Sequence, residues 1–217
     1  MGDHEPSPAT PTRPGVAAFD FDGTLSSQDT MMPFLVRTHG WPRIARHALF
    51  AGPTLLPRNA KPRAGLRDGI KVATVGRLFR GMTVAELDDL GSNYAEGLTE
   101  LLRADMVERL RWHQDQGHAT VIVSASLAVY LRPVAVGLGM DGVLGVELAP
   151  PDAPAEHQLT GKIEGGRNTR GPHKVTRLRT WLDERFSPGA EVELWAYGDS
   201  SGDTELLAAA DHPTWVK

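Results

Sequence analysis

VAAFDFDGTL, residues Val16 to Leu25, carries an apolar run straight into two aspartates, Asp20 and Asp22, and then breaks at Gly23. An apolar run bounded by proline before and glycine after is the pattern of a strand covered on both faces. Val16 to Asp20 reads as such a strand. Two further runs have the same character, Ala119 to Ser124 (ATVIVS) and Val192 to Tyr197 (VELWAY). Each is followed by a stretch with helical spacing, Leu127 to Leu138 and Thr204 to Ala210. Strand-then-helix units imply a parallel sheet with right-handed crossovers, whose ligands sit at the carboxyl ends of the strands. Gly142 to Leu148 and Gln158 to Ile163, separated by a proline-rich turn, predict an antiparallel hairpin at the sheet edge.

Between the first and second strands lie about a hundred residues, far more than one crossover needs. Their pattern is helical. Thr83 and Glu86 form a capping box ahead of Leu87, Leu90, Tyr94, Leu98, Leu101 and Leu102. Asp29 to Val36 and Lys71 to Phe79 also show helical spacing, whereas Gly52-Pro53 and Pro57 predict an interruption around Trp41 to Leu56. The expected organisation is a disordered, proline-rich tail over 1–14, a core over 15–26 and 103–217, and a helical cap over 27–102. Asp105 to Gly117 is then the core helix that leads into the second strand.

The chain has 217 residues, enough for a sizeable core, and no cysteine, which excludes disulfides, thiolate metal sites and a cysteine nucleophile. No run of eighteen apolar residues exists and the N-terminus lacks a basic-then-apolar leader, so a cytoplasmic protein is expected. A net charge of −4 argues against a nucleic-acid binder. Charge is unevenly spread, however: Arg37 to Arg80 holds ten lysines and arginines against one acid, Asp68. Arg43, Arg46, Arg58, Lys61 and Arg63 alternate with apolar residues there, which suits contact with an anionic membrane. The favoured reading is a helix packing its apolar face with its cations in water.

Paired carboxylates at a buried strand end repel one another unless a cation compensates them. GDSSGD, Gly198 to Asp203, adds Asp199 and Asp203 after another strand, on the same sheet edge. A divalent ion fits such a set; Mg²⁺ takes carboxylate, carbonyl and water oxygens and leaves room for phosphate. Ser124 ends its strand where a hydroxyl and the following backbone N–H groups can hold phosphate oxygens, although a helix N-cap explains it equally. Lys174 follows Pro172 in the first turn of a helix, where the dipole disfavours a cation unless an anion is near.

DFDGTL, a strand ending in serine, a lysine and GDSSGD resemble, in order and type, the four motifs of the haloacid dehalogenase-like superfamily. VIVSAS, NTRGPHKVTRL and AYGDSSGDTELLAAADHP are similar to its subfamily IB, the phosphoserine-phosphatase-like branch. That resemblance implies an α/β fold: a Rossmann-like three-layer parallel-sheet core with an inserted helical cap of the C1 type. It also implies a Mg²⁺-dependent phosphatase acting on a small phosphomonoester. Asp20 would be the nucleophile that becomes an aspartyl phosphate, and Asp22 the acid and then base. The Asp20 carboxylate, the Asp22 carbonyl and Asp199 would hold the metal, with Asp203 ligating or orienting a metal-bound water. Ser124, Ala125 and Lys174 would hold the phosphate. Relatives of the branch that act on phospholipid head groups such as phosphatidylglycerophosphate give an alternative substrate. A receiver-like module or a catalytically idle binding protein is the alternative of another class.

Overall fold

The computed structural model describes residues 13–55, 73–149, 158–166 and 168–217. Five parallel strands form one sheet: β1 (Gly15–Phe19), β2 (Ala119–Leu127), β3 (Gly142–Val146), β4 (Glu193–Gly198) and β5 (His212–Trp215), in the order β3-β2-β1-β4-β5. β1 is central, and its alternate residues feed two different cores. Ala17 and Phe19 join Ile122 and Tyr197 on one face, while Val16 and Ala18 join Val121, Val123, Leu194 and Ala196 on the other. That division is what a strand with a period of two must do when both faces are covered, and it produces three layers.

The helices are α1 (Met31–His39), α2 (Trp41–Leu55), α3 (Val84–Leu98), α4 (Ala104–Asp115), α5 (Ala128–Gly137), α6 (Pro172–Arg185) and α7 (Thr204–Ala208), with residues 73–79 also helical. α6 and α7 cover one face through Leu178, Leu206 and Leu207. On the other face α4 and α5 pack with the inserted helices in one continuous cluster that includes Phe34, Phe79, Tyr94, Leu110, Tyr130 and Val134. The insertion leaves and returns at one place. Ser27 N donates to Leu101 O and Arg103 N to Leu25 O, both at 2.9 Å, so its two ends are zipped together beside the loop that follows β1. The capping box at the start of α3 forms as the sequence predicts, with Glu86 N donating to Thr83 Oγ1 and Thr83 N to Glu86 Oε2.

Three expectations change. α2 runs unbroken through Gly52-Pro53 to Leu55; in the last turn a proline forfeits a single i→i−4 bond, too little to stop a helix that is already formed. The hairpin contracts: Gly142–Val146 is instead a parallel strand on β2, and antiparallel pairing survives at Leu148 and Ile163, where Ala149 N donates to Lys162 O and Glu164 N to Glu147 O. Gln158 bridges Thr83 instead. Finally, β2 continues past Ser124 to Leu127 through an irregularity after Val123, and Leu127 is the N-cap of α5, so Ser124 caps no helix. The N-terminal expectation lies mostly outside the described residues, but Pro14 O already accepts from Glu193 N, which joins the chain to the sheet there. Pro57, Arg58, Lys61, Arg63, Lys71 and Val72 also fall outside the described residues.

Candidate active site

The register of the central strands sets the site. Phe19 pairs with Ile122 on one side and Tyr197 on the other. Ser124 and Asp199 therefore stand one residue beyond the level of Asp20 on its two neighbours. Asp20 N still donates to Tyr197 O at 2.9 Å, so the carboxylate leaves the sheet at its last anchored residue. Beyond it the chain turns tightly, with Thr24 N and Ser26 N donating to Phe21 O. Gly23 occupies the left-handed region at φ 80°, and a Cβ there would lie 2.2 Å from Asp199 Oδ2. Glycine thus lets the two acidic loops close on each other.

Asp20, Asp199 and Asp203 each present a carboxylate oxygen within 4.8 Å of the others. Lys174 completes the group. Its Nζ lies 2.6 Å from Asp20 Oδ1 and 2.5 Å from Asp203 Oδ1, and the side chain is 2% exposed. Pro172 places it in the first turn of α6, and Gly171 N donates to Gly202 O, pinning that turn to the GDSSGD loop. Asp203 is held by the protein through both oxygens: Oδ1 faces Lys174, and Oδ2 accepts from Ser200 N and Ser200 Oγ at 3.1 and 2.8 Å. Ser124 is buried, its Oγ accepting from Ser126 N at 3.2 Å, and Ala125 is half-buried between them. Asp22 points elsewhere, toward Thr30 and Ser126, and its carboxylate is not part of the three-carboxylate cluster.

One ammonium does not balance three carboxylates. Burial pushes Asp20 up from 3.8 to about 7, with Lys174 lowering it and Asp203 raising it. Asp22 is also raised by burial, against the hydrogen bonds from Ser126 and Thr30. Asp199, the most open of the group, is raised by partial desolvation and by Asp203. The cluster is short of positive charge. Hard oxygen donors, mutual distances below 5 Å and a glycine that makes room fit a small divalent cation.

Residues 17–208 match the haloacid dehalogenase-like hydrolase family. The chain belongs to that family. Among curated proteins, this hydrolase is similar to protein CicA of Caulobacter vibrioides, 37% identical over 203 residues that cover 91% of this chain and 84% of that protein. A solved protein of unknown function from Bordetella pertussis Tohama I superposes with a TM-score of 0.70 at 25% identity, covering 91% of this chain and 87% of that one. A solved phosphoserine phosphatase carrying an analogue of its phospho-aspartyl intermediate superposes with a TM-score of 0.56 at 17% identity, covering 92% and 84%. The parallel sheet with helices on both faces is the fold this chain shares with that phosphatase.

The structure brings Asp20, Lys174, Asp199 and Asp203 together. Around Asp22 it gathers Thr30, Ser126, Tyr94 and Tyr130. Thr30 lies within the stretch that reads as helical from sequence, Asp29 to Val36, and nothing there singles it out; the structure makes it the N-cap of α1.

Proposed function

We propose that this hydrolase is a Mg²⁺-dependent phosphatase that cleaves a small phosphomonoester through an aspartyl phosphate on Asp20. The observation that carries the reading is the ammonium of Lys174 set between Asp20 and Asp203 at 2.6 and 2.5 Å, inside a cluster of three carboxylates. With Asp20 Oδ1 held by Lys174, Oδ2 is the oxygen left to attack phosphorus. The new O–P bond forms as the bond to the leaving alcohol breaks, and Asp22 gives that alcohol its proton. Water then attacks the phosphorus, Asp22 takes its proton, and the Asp20 carboxylate is released with inorganic phosphate.

A nucleophile raised to about 7 is only about half ionised near neutrality. A divalent cation held by Asp20, the Asp22 carbonyl and Asp199 would supply the charge that keeps Asp20 anionic and neutralises phosphate oxygens. Asp203, held by Lys174 and Ser200, orients Lys174 and the loop and would ligate the ion or orient its water. Ser124, the backbone at Ala125 and Lys174 hold equatorial oxygens of the phosphoryl group, where electrostatic stabilisation dominates. The insertion 27–102 serves as the cap that excludes water and selects the leaving group. Among the described residues, no helix is long and apolar enough to cross a membrane.

Phosphate release from a panel of phosphorylated amino acids, sugars, nucleotides and lipid head groups, with Mg²⁺ and with chelator, tests the reading and chooses between phosphoserine-like and head-group substrates. Asp20→Asn is expected to abolish release while retaining the wild-type circular dichroism. Metal-independent turnover, or turnover retained by the variant, would overturn it.

A further inference from the structure

The carboxyl group of Asp22 is held at three points, two of them by Thr30, which lies outside the four motifs. Its Oδ1 accepts from Thr30 N at 2.8 Å and from Thr30 Oγ1 at 2.6 Å, and its Oδ2 accepts from Ser126 Oγ. Thr30 is the N-cap residue of α1, the first helix of the insertion. A threonine there ordinarily turns its oxygen to the free amides of its own helix, a bond that stabilises by about 1 kcal/mol. This one makes no such bond. The N3 position is Pro33, which has no N–H to cap; Met31 N donates to Asp29 Oδ1 at 2.9 Å, and the Thr30 hydroxyl turns to Asp22.

Thr30 is itself fixed from two further elements. Its carbonyl accepts from the Tyr94 hydroxyl of α3 at 2.8 Å, and its Oγ1 lies 3.3 Å from the Tyr130 hydroxyl of α5. Thr30, Ser126, Tyr94 and Tyr130 are all buried. Water therefore does not compete for these bonds, and Asp22 has one defined orientation set jointly by α1, α3, α5 and β2.

A carboxylate offers about two acceptor positions on each oxygen. Both positions of Oδ1 are filled by Thr30; Oδ2 has one filled by Ser126 and one open. We infer that Thr30 is the positioning residue of the acid–base carboxyl: it anchors Oδ1 and leaves Oδ2 to exchange protons with the leaving alcohol and the attacking water. The inference rests on the role proposed for Asp22. It makes the seating of α1 and α3 a condition for proton delivery, because Thr30 reaches Asp22 only when the start of the insertion is in place.

Leaving-group dependence separates positioning from general damage, since proton delivery matters more as the leaving group becomes more basic. The measurement is kcat/KM with Mg²⁺ for p-nitrophenyl phosphate and phenyl phosphate, in wild type, Asp22→Asn, Thr30→Val and Thr30→Ser. For Thr30→Val the ratio of the two values, nitrophenyl over phenyl, should rise roughly tenfold, in the direction of Asp22→Asn. Thr30→Ser restores the hydroxyl and should return the ratio to within about threefold of wild type, whatever its effect on stability. A fall shared equally by both substrates in Thr30→Val, or a ratio that Thr30→Ser leaves shifted, would overturn the inference while leaving the phosphatase reading intact. Wild-type protein that releases phosphate from neither ester would overturn the phosphatase reading, and this inference with it.

Discussion

Replacing Lys174 with methionine keeps the volume of the stem and removes the only ammonium that touches Asp20 and Asp203 among the described residues. Lys174 is 2% exposed and Asp203 0%, so the carboxylates left behind cannot recover hydration. Removing one partner of a buried pair costs about 3–5 kcal/mol. Part of that cost depends on pH, and its sign follows from Asp20. The folded-state value of Asp20, about 7, lies above its ordinary 3.8, so the folded protein holds the extra proton and stability falls as pH rises from about 4 to about 7. Lys174 lowers that value by its charge and by its hydrogen bond; without it the value climbs and the decline continues beyond pH 7. In metal-free protein the deficit of Lys174→Met should therefore be roughly 3 kcal/mol near pH 6.5 and widen above pH 7 by up to ~1.4 kcal/mol per unit. Urea denaturation in chelator, followed by far-ultraviolet circular dichroism at about pH 6.5 and about pH 9, measures both parts. A deficit below about 1 kcal/mol, or one that does not change with pH, would refute the reasoning.

Other outcomes follow from packing and from buried histidine. A Cβ at Gly91 of α3 would lie 2.7 Å from Val129 Cγ2 and from Val129 O, whereas one at Gly97 of the same helix meets nothing within 4 Å. Thermal or urea unfolding should show Gly91→Ala destabilised by about 1–3 kcal/mol and Gly97→Ala stabilised by about 0.5–1 kcal/mol. His113 is wholly buried, its Nε2 2.8 Å from the Tyr197 hydroxyl, and burial lowers it to about 4 from 6.5. The unfolded chain then binds the proton first as pH falls, so acidification from about 6.5 to 4 removes up to ~3 kcal/mol of stability through this residue. His113→Phe should lose correspondingly less between about pH 7 and 4.5, a comparison in which the opposing contribution of Asp20 cancels.

The sheet was legible because a parallel strand buried on both faces reads as a continuous apolar run, and β1, β2 and β4 all do. α3 announced itself through the Thr83–Glu86 box. β5 did not: His212, Pro213, Thr214 and Trp215 are all exposed at an edge, so neither alternation nor an apolar run marks them. The aspartates of the site were visible from their places after strands, but Lys174 taken alone reads as a solvated cation. What buries it is the meeting of two loops that lie far apart in the chain. Thr30 was hidden for a related reason. The sequence places it inside a helical stretch, and only the nearness of Asp22, eight residues back, gives its hydroxyl a partner.

The most direct test of the account is to find the phosphoryl group on the protein. In Asp22→Asn, p-nitrophenyl phosphate should still transfer its phosphoryl group, because that leaving group needs little protonation, while the water step lacks its base. Acid-quenched protein from a reaction with Mg²⁺ should then yield, on peptide mapping, a phosphoryl adduct on Asp20 approaching one per chain. Release of nitrophenol with the adduct on another residue, or steady phosphate release with Asp20 unmodified, would contradict Asp20 as the nucleophile.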